Sequence, residues 1–161
     1  MAQFMSLRRG FTLIEMLVVV AILGVLAALV APSFNEQLAR RRLEGVTTDL
    51  TTDLQFARTQ AVDDRSAAAF SLITQNSGTS YTLVNGAGTT VKTATLPADV
   101  GVTPNITVAY DQLRGTLSPA NAQSITVASI RTAASLTVNV NVMGRVSVCA
   151  PGGVMKGYTA C

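Results

Sequence analysis

An almost uninterrupted apolar run over residues 11–31 is the feature that most limits what this chain can become. As a helix it would be roughly 31 Å long at about 1.5 Å per residue, which matches the ~30 Å hydrocarbon core of a bilayer. A helix that is apolar all round has no face to give to water, so lipid or other apolar helices must cover it. One carboxylate, Glu15, interrupts the run near its start. An acid there costs on the order of 3 kcal/mol on insertion scales, so a cationic partner is expected. Directly before the run stands Arg8-Arg9-Gly10. An ordinary secretory signal would put its cleavage site after the apolar region. Here that end reads Leu29-Val30-Ala31-Pro32-Ser33-Phe34.

The junction Gly10-Phe11, followed by Thr12-Leu13-Ile14 and Glu15, resembles the class III signal of type IV pilins and type II secretion pseudopilins. Gly24 and Pro32 also fall where many members of that superfamily carry a Gly and a Pro. The resemblance implies a prepilin peptidase that cuts between Gly10 and Phe11 on the cytoplasmic side and methylates the new amino-terminal Phe11. It implies that Glu15 serves assembly by pairing with the Phe11 amino group. It also implies other pilins or pseudopilins as partners through the apolar helix, held first in the inner membrane as a single pass. Arg8 and Arg9 favour a cytoplasmic amino terminus, whereas Arg40, Arg41 and Arg42 beyond the run vote the other way. Orientation therefore rests on the signal motif.

Past Pro32 the pattern becomes amphipathic. Leu43, Val46, Leu50, Leu54, Ala57 and Ala61 recur every three or four residues and draw one apolar stripe. Arg40, Glu44, Asp49, Asp53 and Arg58 are expected to face elsewhere. The spacing predicts one long helix over residues 12–62, kinked or softened at Gly24, Pro32 and Gly45. Beyond Ser66 short β-branched runs alternate with Gly, Asn and Pro. These predict strands at 69–74, 80–84, 89–96, 106–110, 124–129, 135–142 and 145–149. Asn85-Gly86-Ala87-Gly88 predicts a hairpin loop. Leu136, Val138, Val140 and Val142 alternate with polar residues, which predicts one buried and one wet face. The tail at Ala150-Pro151-Gly152-Gly153 should break the last strand. The expected fold is α+β: a long amino-terminal helix, its first half transmembrane, packed on an antiparallel β-sheet domain. The expected divisions are a leader at 1–10, a membrane or filament-core helix at 11–31, an amphipathic continuation at 32–65 and a β-rich periplasmic or extracellular domain at 66–161.

Charge and composition exclude more than they assign. The formal charge is +3; loss of Arg8 and Arg9 with the leader would leave 3 − 2 = +1. Bulk charge therefore does not mark a nucleic-acid protein. From Ser66 onward Lys92, Arg114, Arg131, Arg145 and Lys156 face only Asp99 and Asp111, an excess of 5 − 2 = 3. A solvated surface explains that as well as a ligand does. The chain has no histidine, so no Ser-His or Cys-His nucleophile pair can be built. No Gly-rich phosphate loop of the P-loop kind occurs. With no histidine and no CxxC spacing, no metal site is expected. The chain reads as a non-enzyme without cofactors. Cys149 and Cys161 are its two cysteines. In an exported domain a disulfide is the expectation, and two free thiols are the alternative.

Two further segments resemble one subgroup. Leu54, Ala57, Arg58 and Ala61 are similar to the L-x-x-A-R-x-x-A signature of FimT-type and GspH-type minor pilins and pseudopilins. Gly144-Arg145-Val146-Ser147-Val148-Cys149 through Cys161 is similar to a FimT tail, where a Gly-Arg-x-Arg motif precedes a disulfide-closed end and is linked with DNA. Ser147 stands where the second arginine would be. The resemblance implies a minor pilin that acts in pilus assembly and in binding DNA for uptake. The alternatives are a GspH-type minor pseudopilin of a type II secretion system and a major pilin. The DNA-binding candidates are Arg145 and Lys156, with Arg131 and Lys92 as neighbours. For Arg58 a sheet-capping cation competes with a ligand role.

Overall fold

The computed structural model describes residues 11–65, 71–153 and 155–161, with the side chains of 29–33 left aside. Arg8, Arg9 and Gly10, and residues 69 and 70 of the first expected strand, lie outside the described residues. One helix, α1, runs Leu13–Asp63. Eight strands follow: β1 Ser71–Gln75, β2 Ser80–Val84, β3 Thr90–Thr95, β4 Val100–Thr103, β5 Thr107–Ala109, β6 Gln123–Ser129, β7 Ser135–Val140 and β8 Val146–Cys149. The chain divides into a unit ending at Asn35 and a unit from Glu36 to Cys161.

In the first unit every described side chain from Phe11 to Ala28 is exposed. Thr12 starts the helix: the Glu15 amide donates to its Oγ1 at 3.3 Å, and the Met16 amide to its carbonyl at 3.3 Å. This places Thr12 and Glu15 at the two ends of a Thr-x-x-Glu capping pattern. Among the described residues no helix is long and apolar enough to cross a membrane.

The second unit is a helix on two sheets. The expected antiparallel β-sheet domain consists of two four-stranded antiparallel sheets, ordered β3-β2-β1-β5 and β4-β6-β7-β8. The α1 stripe joins them. Leu43, Leu50, Leu54 and Ala57 are fully buried, and Val46 and Ala61 nearly so, in one cluster with residues of both sheets. Leu72, Leu83 and Val108 come from the first sheet, and Val102, Ile125, Val127, Leu136, Val138 and Val140 from the second. The alternation in β6 and β7 is the pleat, with one face on the core. That stripe is why the amphipathic half of the helix is stable: its partner is its own domain.

Several expectations need correction. β4 was not expected from the sequence. Val100 and Val102 point inward, paired to β6 through Val100↔Ser129 and Val102↔Val127. β7 ends at Val140, so Val142 lies in an exposed turn, not on the buried face. Asp53, which lies off the apolar stripe, is nonetheless buried. The 85–88 loop is the expected hairpin: the Asn85 side chain accepts from the amides of Ala87 and Thr89, and Gly88 takes the positive φ. After β8 the tail does not trail away. Ala150 bridges Ala160, its amide donating to the Thr159 carbonyl at 2.8 Å, and Met155 enters the core.

Candidate functional site

The candidate residues fall in two places, the start of α1 and the carboxyl-terminal sheet. At the helix start Phe11 is exposed, and so is Glu15. No ion pair holds Glu15 among the described residues. Its own amide is capped by Thr12, and its charge sits in the first turn, where the helix dipole favours an anion. The capping pattern Thr12-Leu13-Ile14-Glu15 is legible in the sequence as Thr-x-x-Glu at the start of an apolar run.

Cys149 and Cys161 form a disulfide, as an exported domain would lead one to expect. It ties the end of β8 to the last residue of the tail, beside the Ala150–Ala160 bridge.

The four cationic candidates separate. Lys92 crosses from β3 to α1, and its Nζ lies 2.7 Å from both carboxylate oxygens of Asp53. The Tyr81 hydroxyl donates to Asp53 Oδ2 at 2.6 Å. Burial raises the Tyr81 pKa above its ordinary value, and the hydrogen bond and charge of Asp53 raise it further. The hydroxyl therefore stays protonated and remains a donor. Arg131 lies 3.9 Å from the buried Asp99 carboxylate, which Arg42 also approaches at 3.1 Å. These two cations thus serve buried carboxylates. Arg145 and Lys156 are exposed and have no ion pair among the described residues. They do not share one loop. Arg145 precedes β8 and the disulfide follows it, so the strand separates them by about 13 Å.

A different neighbour meets Arg145. Arg58 Nε donates to the Gly115 carbonyl at 2.9 Å, joining α1 to the loop after β5. The turn at 141–145 packs against that contact. The Leu117 amide donates to the Val142 carbonyl at 3.0 Å, and Gly144 has φ of +76°. A Cβ at Gly144 would overlap the Gly115 carbonyl oxygen and come within 3.0 Å of Arg58 Nε. Glycine is required there on both counts. The Asn141 side chain accepts from the Arg145 amide at 2.9 Å and fixes the turn. Arg58 thus ties α1 to a loop carbonyl, and it also shares a groove with Arg145. That groove, of about 310 Å³, is lined by Gln55, Arg58, Thr59, Gly144, Arg145 and Val146. Close by, burial pushes the Tyr110 hydroxyl up to about 12, against the opposing pull of Arg58. That hydroxyl has no hydrogen-bond partner among the described residues. Among the described residues no group of three or more acidic or cysteine side chains could hold a metal ion.

Residues 5–31 match the family described as the prokaryotic N-terminal methylation motif. A type IV major fimbrial protein FimA of Dichelobacter nodosus is 54% identical over 43 residues, covering 26% of this chain and 27% of its own. A fimbrial protein of the same organism matches to the same extent. The chain thus spans about a quarter of the length of these relatives. No solved structure matches it. The chain thus carries the methylation motif at its amino terminus, is similar there to type IV fimbrial proteins, and has a long helix packed on antiparallel sheets.

Proposed function

We propose that this chain is a filament subunit of the type IV pilus kind, made as a precursor and anchored by its apolar helix before assembly. One observation carries the reading. The apolar residues 11–28 are all exposed among the described residues, while the methylation motif stands over the same segment. Cleavage between Gly10 and Phe11 would leave a cationic Phe11 amine beside Glu15. The Glu15 carboxylate, which has no ion pair among the described residues, would then find its partner in that amine, on its own chain or on a neighbour, as the helices bundle. The inner membrane and the peptidase are partners before assembly, and other pilins afterwards; the assembled location is the pilus surface. Glu15→Ala tests this. The variant should insert into the membrane at least as well as wild type, because a buried acid is costly there. It should be depleted from sheared filaments. Normal incorporation would remove Glu15 from the assembly account.

Within the superfamily we favour a FimT-type minor pilin over a GspH-type pseudopilin and a major pilin. The support is the run Leu54, Ala57, Arg58 and Ala61, in which three positions are core and Arg58 bonds the Gly115 carbonyl. The matched relatives carry the name of major fimbrial proteins, so abundance in sheared filaments separates the alternatives. A DNA-binding role has a specific observation in its favour: Arg145 is exposed, unpaired among the described residues and held on a rigid turn. Such binding would be weak and independent of sequence, because few phosphates can be neutralised at once.

A further inference from the structure

We propose that the groove between α1 and the 141–145 turn is a two-arginine site for a phosphate group, with Arg58 supplying the second guanidinium that the tail lacks at Ser147. The inference rests on the reading that Arg145 contacts nucleic-acid phosphate. Gln55, Arg58, Thr59, Gly144, Arg145 and Val146 line the groove, and none of them is a carboxylate. Two guanidinium groups from different elements therefore share one concavity without a counter-charge on its walls. Like charges so placed repel, and an anion between them relieves the repulsion. Of the other DNA-binding candidates, Lys92 and Arg131 already serve carboxylates, whereas Lys156 has no ion pair among the described residues.

Both arginines are set in place for this. The Arg58 Nε–H is bound to the Gly115 carbonyl, which fixes the guanidinium. Its Nη–H groups have no partner among the described residues. The Arg145 backbone is fixed by Asn141, and its side chain has no partner among the described residues. Planar guanidinium forks match phosphate oxygens in pairs. Gln55 lies one turn before Arg58 on the same helix face and adds amide donors. Gly144 keeps the turn against the helix, so the groove depends on that glycine. Ser147 lies two residues beyond Arg145, across the β7–β8 ladder from Asn139, and is exposed. A motif read along the tail alone would look for the second guanidinium there. The fold provides it from the helix.

The test uses the full chain in mild detergent micelles with a short labelled duplex of arbitrary sequence. Arg58→Lys keeps a cation that can reach Gly115 but removes the fork. Gln55→Glu places a carboxylate in the groove without touching Gly115, so it serves even if the first variant folds poorly. Each, like Arg145→Ala, should weaken binding about tenfold. Arg145→Ala, which removes a charge, should lower the log–log salt slope by about one, whereas Arg58→Lys keeps the charge and should leave the slope unchanged. If Arg145→Ala weakens binding while Arg58→Lys and Gln55→Glu bind as wild type, the two-arginine site is overturned and the Arg145 reading stands. If all three bind as wild type, both fall. If wild type does not bind duplex at low salt, the nucleic-acid reading falls, and titration with inorganic pyrophosphate decides the groove. Thermal protection by pyrophosphate that Gln55→Glu abolishes then supports a site for free phosphate. No protection overturns it.

Discussion

From Leu13 to Ala28 every described side chain of α1 is exposed, with Leu13 at 84% and Ile14 at 71%. From Leu43 to Ala61 the same helix buries a residue in almost every turn, with Leu43, Leu50 and Leu54 at 0%. The difference is one of pattern. The first stretch is apolar on all sides and needs partners all round, whereas the second is apolar on one stripe and finds its partner in its own two sheets. A helix of the first kind is completed by something outside the chain. A helix of the second kind is completed by the fold itself.

The largest contrast should appear on truncation. Leu54→Ala removes a fully buried side chain and should cost about 2–5 kcal/mol of the domain's stability. Leu17→Ala, in the exposed half, should shift it by less than about 0.5 kcal/mol. Guanidinium unfolding of the full chain in detergent micelles, followed by tyrosine fluorescence, compares the two. Comparable losses at both positions would erase the distinction between the halves.

Next in size is the disulfide. It closes a loop of sequence separation 12 and should contribute about 3 kcal/mol in the chain-entropy model. Its reduction should lower the unfolding midpoint and expose the buried Met155 to oxidation, leaving the first half of α1 unaffected. Asp53→Ala follows. It leaves the Tyr81 hydroxyl buried without its acceptor and Lys92 without its carboxylate. Because Lys92 is half exposed, the expected cost is about 1–3 kcal/mol. A double-mutant cycle with Lys92→Ala should show coupling, and additive losses would contradict the pairing.

The smallest effect concerns Tyr110. Burial raises its folded pKa to about 12, above the unfolded value of about 10. A group raised on folding stabilises fully below its unfolded pKa, so the Tyr110 contribution should be constant below about pH 10 and be lost as pH climbs toward 12. Tyr110→Phe should remove part of that fall. At neutral pH it should change stability by less than about 1 kcal/mol, since the hydroxyl has no partner to lose among the described residues.

The two halves of α1 were legible because periodicity is local. The positions Leu43 to Ala61 repeat at helical spacing, and all six proved to be core. The fate of Asp53 was not legible. An acid on a helix reads as solvated until Tyr81 and Lys92 arrive from strands 28 and 39 residues away. The split into two sheets was hidden for the same reason, because strand pairing is decided at long range. β4 escaped notice since Val100-Gly101-Val102-Thr103 is short and carries a glycine. The cysteine pair was readable from compartment chemistry. The meeting of Arg58 with Arg145 was not, since 58 and 145 lie far apart in the chain and come together in one groove beside the loop at Gly115.

The central claim is that the uncovered half of α1 is a processed assembly segment. Intact-mass spectrometry of the protein recovered from sheared filaments tests it most directly. The account predicts a chain that begins at Phe11, lacks the first ten residues and carries one added methyl group. A chain still bearing its leader, or one beginning beyond residue 31, would contradict it.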